Sequence, residues 1–145
     1  MVNKFNSDEN LAKIRKYTAR PDIVPLLAIS HVTGNDVYYD CDSGTAAGKG
    51  LVNIPELAIV EVTMSANCSA LEHNHTVLEI ITVISGQIFI DIQKPDGELG
   101  TNQIILNPAE SYTIPIGACH TVSCVEPSKV ICISIPPDEG FPSGK

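Results

Sequence analysis

Positive charge is scarce in this chain of 145 residues. Lysine and arginine together number 9 against 17 aspartates and glutamates, which gives a formal net charge of -8. Neither cation occurs between Gly50 and Gln93, nor between Pro95 and Ser128. Binding to nucleic acid depends on cationic side chains that neutralise phosphates. We therefore expect no nucleic acid among the partners of this protein.

Long apolar runs are also missing. No stretch approaches the roughly 20 residues of a membrane-spanning helix, and the polar N-terminus with its lysines lacks the apolar segment of a signal peptide. We therefore expect no membrane association and, by default, a cytoplasmic location.

The cysteines lack the Cys-x-x-Cys spacing of many metal and redox sites. There are five of them, an odd number: Cys41, Cys68, Cys119, Cys124 and Cys132. This favours buried thiols that pack as small hydrophobic groups.

Short β-branched segments recur through most of the chain. Apolar residues make up 43% of the sequence and charged residues 18%, which excludes a disordered acidic chain. Segments of this kind, of which 57–64 and 130–135 are two examples, recur at intervals typical of a β-sandwich or barrel. Ser85-Gly86 predicts a tight hairpin between two of them, and the glycines and alanines of 42–50 predict a loop. At this length we expect a single domain over 1–145.

The two ends of the chain differ from this core, which we place at about 22–136. Within 1–20, Ser7-Asp8-Glu9-Asn10 favours the N-cap of a short helix, although a loose arm is the alternative. Pro25 within 23–29 is typical of an edge strand. The Gly- and Pro-rich residues 137–145 form a tail.

Three metal-ligand side chains are crowded into seven residues: His73, His75 and Glu79. On an extended strand the two histidines face the same side, about 7 Å apart. Glu79 would lie about 13 Å beyond His75 if the strand continued, too far for one ion. If Glu79 is a ligand, the chain must turn between Thr76 and Leu78 and place it on a neighbouring strand.

These residues resemble the first motif of the cupin superfamily, in which a His-x-His pair is followed by a Glu and then a Gly, here Gly86. Its second motif, Pro-x-Gly-x-x-His, is matched by Pro115, Gly117 and His120. The resemblance implies an all-β fold, a double-stranded β-helix or jelly-roll barrel of the RmlC-like type, with a short N-terminal helix. It also implies a homodimer, for which 22–29 is the candidate segment.

Three positions depart from the motifs, and none of them is a ligand. Asn67 and Ala109 stand where glycines are expected, and Cys124 replaces an asparagine. Asparagine tolerates a left-handed backbone, whereas alanine predicts a differently shaped turn.

The resemblance implies that one divalent ion, whether Fe, Mn, Ni, Co or Zn, is bound by four residues: His73, His75, Glu79 and His120. The ion would leave open positions for substrate, and Glu79 would detach to act as the catalytic base. We expect a dioxygenase-like oxidoreductase acting on a small organic molecule. Two alternatives stay open: a non-catalytic module that binds or senses a small molecule, and an oxygen-independent, metal-assisted lyase or isomerase.

Strand parity predicts which side chains line the pocket around the ion. The inward-facing set is Ile81, Val83, Ile88, Ile90, Val122 and Cys124. The phenols of Tyr38, Tyr39 and Tyr112 would lie near barrel strands. A sugar nucleotide or a dicarboxylate normally needs fixed cations to bind it, and here only Arg20, Lys49, Lys129 or the metal could supply them. A neutral or singly enolised substrate is therefore expected.

Overall fold

Two antiparallel β-sheets make up the structure, a computed structural model that describes residues 36–39, 41–96 and 98–137. The strands are β1 (Asp36–Tyr39), β2 (Cys41–Ser43), β3 (Ala46–Ile54), β4 (Leu57–Met64), β5 (Ser69–Ala70), β6 (Leu78–Ser85), β7 (Ile88–Gln93), β8 (Thr101–Leu106), β9 (Ser111–Ile114), β10 (His120–Ser123) and β11 (Ser128–Ile135). Every regular element in these ranges is a strand, which confirms the all-β prediction. Accordingly, the described ranges contain no helix long and apolar enough to cross a bilayer. The expected N-terminal helix, the edge strand over 23–29 and the tail beyond Pro137 lie outside the described residues.

The strand order interleaves distant parts of the chain. One sheet has six strands in the order β1-β3-β4-β11-β6-β9, and the other has five in the order β2-β5-β10-β7-β8. Burial alternates along β4, β6 and β7, because each strand turns one face toward the opposite sheet and the other toward solvent. The site residues therefore come from strands that lie in different sheets.

The interior between the sheets is mostly apolar, and Glu79 is the one carboxylate buried there among the described residues. Ile88, Ile90 and Ile92 of β7 are buried, as the alternation in the sequence predicts. On the six-stranded sheet, the register places Cys132 of β11 opposite Ile81 of β6. The next inward pair along these strands is Ser134 and Glu79. A carboxylate thus occupies the same buried face as the isoleucine core.

The hairpin predicted at Ser85-Gly86 is wrong. The strands on either side belong to different sheets, since β6 pairs with β11 and β9 whereas β7 pairs with β10 and β8. Gly86 has a φ of 83°, and a Cβ there would collide with Ser128 and lie 2.7 Å from the Pro127 carbonyl oxygen. The glycine is therefore needed where the chain crosses between the sheets.

The loop predicted over 42–50 is wrong as well. Apart from the bend at Gly44 and Thr45, these residues belong to β2 and β3, and Ala46, Gly48 and Gly50 are turned toward the interior. A Cβ at Gly48 would lie 2.8 Å from Val60 Cγ1 and 3.0 Å from the Tyr39 ring. Small residues are thus required by close packing in a strand, although their β-propensity is low.

Asn67 and Ala109, which stand where the motifs have glycine, both adopt the left-handed backbone conformation. Asn67 has a φ of 56° and Ala109 a φ of 71°. Ala109 therefore adopts the conformation that glycine would favour, and its N–H donates to the Val83 carbonyl at 2.9 Å. The replacement of glycine has not removed the left-handed position from this turn.

All five cysteines are free thiols. Cys68, Cys119 and Cys124 are buried, as expected, and Cys41 and Cys132 are half-buried. Burial, followed by a hydrogen bond and charge interaction with Cys41, raises the pKa of Cys68 to about 12. Cys68 is therefore a packing thiol at neutral pH.

Candidate metal centre

Backbone hydrogen bonds bring the two histidine-bearing segments side by side. His73 and His120 form an antiparallel bridge in which the N–H of each donates to the carbonyl of the other, at 3.1 and 2.8 Å. The N–H of Gly117 donates to the His75 carbonyl at 2.9 Å. Residues more than 40 positions apart in sequence are thereby fixed as neighbours.

The side chains of His73, His75 and His120 converge as this pairing requires. One ring nitrogen from each lies within 4.8 Å of the others. The ring centroids are 4.4 to 5.3 Å apart. Three ring nitrogens this close together form a group that could hold one metal ion.

Glu79 reaches the histidines from the opposite sheet. Its Oε1 lies 3.4 Å from His75 Nε2 and 3.6 Å from His120 Nε2. The chain bends at Thr76 and Val77, where a turn was expected, and then enters β6 of the six-stranded sheet. His120 begins β10 of the other sheet. The sequence predicted that Glu79 lies on a strand next to the histidines, but Glu79 lies on the sheet that faces them.

Two backbone carbonyls select the form of the imidazoles. His73 Nδ1 lies 2.6 Å from the Leu71 carbonyl oxygen, and His120 Nδ1 lies 2.8 Å from the Ala118 carbonyl oxygen. A carbonyl oxygen only accepts, so each Nδ1 carries the proton and donates it. The lone pair of each ring is thereby left on Nε2, the nitrogen that a metal would bind.

The electrostatics of the cluster favour the forms that bind metals. Burial, and then the neighbouring His120 and His75, lower the pKa of His73 to about 3. Burial alone would raise the pKa of Glu79, but the two imidazoles at His75 and His120 outweigh it and hold that pKa well below its usual range. A neutral imidazole at His73 beside an ionised carboxylate at Glu79 is the state that coordination requires.

A divalent ion fits this arrangement. His120 is 1% exposed, and its Nε2 has no hydrogen-bond partner among the described residues. A buried acceptor left in that state is destabilising, and a cation would satisfy it. Three imidazoles and one carboxylate suit Fe, Mn, Ni, Co and Zn, and the donor set does not discriminate among them.

A cavity opens beside the candidate centre, between the two sheets. The empty space in the cavity and at its open mouth together amounts to about 750 Å³. Its wall is mostly apolar and consists of Tyr39, Ala46, Val60, Val62, Met64, Ala70, His73, His75, Glu79, Ile81, Val122, Val130, Cys132 and Ser134. None of these described wall residues is a lysine or arginine, so Glu79 is the group on the wall that carries a full charge.

The structure divides the residues predicted to line the pocket. Ile81 and Val122 lie on the cavity wall, whereas Val83, Ile88, Ile90 and Cys124 are buried in the packed core beside it. All six face the interior, but parity does not tell which parts of the interior are filled. Of the phenols, Tyr39 is on the wall and Tyr112 packs against the core.

Two polar wall residues were missed from the sequence. Cys132 and Ser134 alternate with outward-facing residues of β11 and lie opposite Ile81 and Glu79. Their inward parity was available from the sequence, since Val130, Cys132 and Ser134 share one face. The pairing of β11 with β6 was not, because residues 86–127 separate those strands in the sequence. Burial, and then the nearby Glu79, raise the pKa of Cys132 well above its usual value.

No family model matches the sequence, and no curated protein matches it. Solved structures do match. KdgF from a Halomonas species is 21% identical, with 81% of this chain and 97% of that one covered and a TM-score of 0.58. An RmlC-like cupin from Shewanella frigidimarina is 18% identical, with 81% and 99% covered and a TM-score of 0.59. Drosophila melanogaster CENP-C, solved bound to CAL1, is 14% identical, with 68% and 78% covered and a TM-score of 0.54.

Likeness at these identities concerns the arrangement of the backbone. The matched architecture agrees with the two antiparallel sheets described above and with the fold that the two sequence motifs imply. The chain therefore has the cupin fold, with a group of three histidines compatible with metal binding.

Proposed function

We propose that this protein is a metal-dependent enzyme that acts on a small organic molecule, as a dioxygenase-like oxidoreductase. The observation that carries the proposal is the convergence of three imidazole nitrogens within 4.8 Å, two of which, from His73 and His75, belong to the wall of a mostly apolar cavity. Perturbed titratable groups that meet in a cleft are typical of functional sites.

The residues of the site would have different roles in the reaction. His73, His75 and His120 would hold the ion, and Glu79 would complete its ligand set. When bound, such a metal supplies a Lewis acid that polarises an oxygen atom of the substrate. Glu79, whose lowered pKa keeps it ionised, would detach from the ion to accept a proton from a carbon or hydroxyl held beside it.

The cavity wall argues for the class of substrate. A ligand that carries two or more negative charges would meet no fixed cation among the described wall residues, and it would face the carboxylate of Glu79. Apolar side chains would instead exclude water around an uncharged body. A neutral molecule, or one that is singly ionised as an enolate, therefore fits best.

Turnover without oxygen and binding without turnover are the alternatives that the experiment must separate. A cupin fold does not determine chemistry, and the matched CENP-C was solved in complex with another protein. A metal-assisted lyase or isomerase would use the same site and the same base. Oxygen dependence distinguishes these possibilities.

The test is oxygen consumption by protein reconstituted separately with Fe²⁺, Mn²⁺, Ni²⁺, Co²⁺ and Zn²⁺, over a panel of enolisable carbonyl compounds. Products are identified by mass spectrometry, with parallel anaerobic reactions. Glu79→Gln should abolish turnover. Glu61→Gln should not, because Glu61 pairs with Lys129 on the outward face of β4. Product formed equally well without oxygen would indicate a lyase or isomerase. Ligand-dependent thermal shifts without product would indicate a binding module.

A further inference from the structure

Asn74 lies between two of the candidate ligands, His73 and His75, and is itself 1% exposed. A polar amide is rarely buried to this degree unless its hydrogen bonds hold something in place. The side chains on either side of it belong to the metal cluster.

The amide of Asn74 contacts the segment that carries the third histidine. Its Nδ2 donates to the Gly117 carbonyl oxygen at 3.4 Å and to Cys119 Sγ at 3.6 Å. Gly117 and Cys119 belong to the turn that leads directly into His120. One side chain of the first motif therefore contacts two residues of the second motif.

Backbone hydrogen bonds also join these segments, and the side chain of Asn74 adds to them. The bridge between His73 and His120 lies on one side of Asn74, and the bond from Gly117 N–H to the His75 carbonyl lies on the other. The Asn74 amide occupies the space between them. It can thus hold the two turns at one separation, and with them the three ring nitrogens.

We infer that Asn74 is a positioning residue for the metal centre. It acts through the backbone of the Gly117–Cys119 turn to keep His73, His75 and His120 convergent, and it does not touch the ion. The inference rests on the metal binding in the proposed function but not on the reaction. Groups that orient metal ligands typically contribute about 10–100-fold to affinity.

The experiment compares metal affinity in four proteins by competition of Co²⁺ and Zn²⁺ with a chromophoric chelator. Asn74→Ala removes the amide, and Asn74→Asp keeps its shape but removes both N–H donors. Asn102→Ala, on the exposed face of β8, is the matched control for loss of an asparagine. The unaltered protein is the reference.

We expect both Asn74 variants to bind Co²⁺ and Zn²⁺ at least about tenfold more weakly, with a changed visible spectrum of bound Co²⁺. The control should match the reference. Cys119→Ser should retain affinity, because a hydroxyl oxygen still accepts from Nδ2. A purely structural role would lower the midpoint of thermal unfolding in chelator but leave affinity and spectrum unchanged.

Affinities for Asn74→Ala and Asn74→Asp within twofold of the reference would overturn the inference and leave the proposed function intact. Loss of fold in both variants would assign Asn74 to the core and would also overturn it. If the unaltered protein binds neither ion, both proposals fail. Weaker binding by the variants, combined with no turnover by any loaded protein, would support the role of Asn74 and count against the reaction alone.

Discussion

His73 and His120 each use one ring nitrogen on a backbone carbonyl, and this determines what the other nitrogen does. The carbonyl oxygens of Leu71 and Ala118 hold the Nδ1 protons. The Nε2 of each of these two rings is therefore an acceptor, and that of His120 has no hydrogen-bond partner among the described residues. At the scale of single residues, the site is assembled from local main-chain bonds that lie two residues before each histidine.

Removal of His120 should abolish tight metal binding. Its ring is buried and contributes one of the three convergent nitrogens. Loss of a residue that only orients a ligand costs up to about 100-fold in metal affinity. His120→Ala, which removes a ligand itself, should therefore weaken Zn²⁺ affinity by about 100-fold or more. Chelator competition measures this. Thr121→Ala, the next position on β10, controls for disturbance of the strand. A His120→Ala protein that binds Zn²⁺ within threefold of the unaltered protein would show that the ion is held elsewhere.

At the scale of elements, the crossing from β6 to β7 depends on one glycine. Gly86→Ala would place a Cβ against Ser128 and the Pro127 carbonyl in a backbone of positive φ. We expect it to lower the free energy of unfolding by about 2–4 kcal/mol, the sum of left-handed strain and backbone displacement. Urea denaturation measures the change.

Gly100→Ala is the matched control for that substitution. Gly100 has a φ of 91°, but a Cβ there would meet nothing within 4 Å. Its cost should therefore be limited to conformational strain, about 1–2 kcal/mol. Equal losses from the two substitutions would mean that the close approach of Ser128 to Gly86 does not matter for stability.

The elements also show how far the sequence could predict the site. The ligand types and their motif spacing predicted that His73, His75, Glu79 and His120 lie together, and the structure brings them together; that they bind a metal stays a prediction. The strand β3 was missed because Ala46, Gly48 and Gly50 have low β-propensity, and their small size is explained only by what packs against them. Long-range packing of this kind has no local signal.

The pairing between strands was the second feature that the sequence did not predict. The turn at Gly86 was recognised, but a turn alone does not indicate whether the chain pairs with itself or crosses to another sheet. For the same reason, parity identified Ile88 and Ile90 as buried without telling that they fill the core beside the cavity. These features depend on the order of strands in the two sheets.

At the scale of the whole molecule, a metal that binds residues from both sheets should stabilise the folded protein. Glu79 lies in the six-stranded sheet and His120 in the five-stranded sheet, so a bound ion would link them. At a free metal concentration 100 times the dissociation constant, the gain is about 2.7 kcal/mol. Thermal unfolding with added Zn²⁺ and then with excess chelator should show a reversible shift. His75→Ala should lose it, and an unchanged midpoint in the unaltered protein would count against metal binding.

Acidification should destabilise the metal-free protein through the same cluster. His73, which faces His75, His120 and Glu79, has its pKa lowered from 6.5 to about 3. Between those pH values the unfolded chain binds a proton that the folded chain does not, so the free energy of unfolding falls as the pH falls. Glu79 acts in the same direction, because its lowered pKa gives a contribution that is present above about pH 4.5 and is lost on further acidification.

Urea denaturation in chelator at pH 7, 5 and 4 measures this dependence. We expect a progressive loss of stability in the unaltered protein and a shallower loss in His73→Asn, which cannot take up the proton in either state. Surface carboxylates contribute equally to both proteins, so the difference between the two slopes isolates His73. Identical slopes would mean that His73 is protonated as readily in the folded protein as in the unfolded chain, and that the three imidazoles are not packed closely enough to exclude charge.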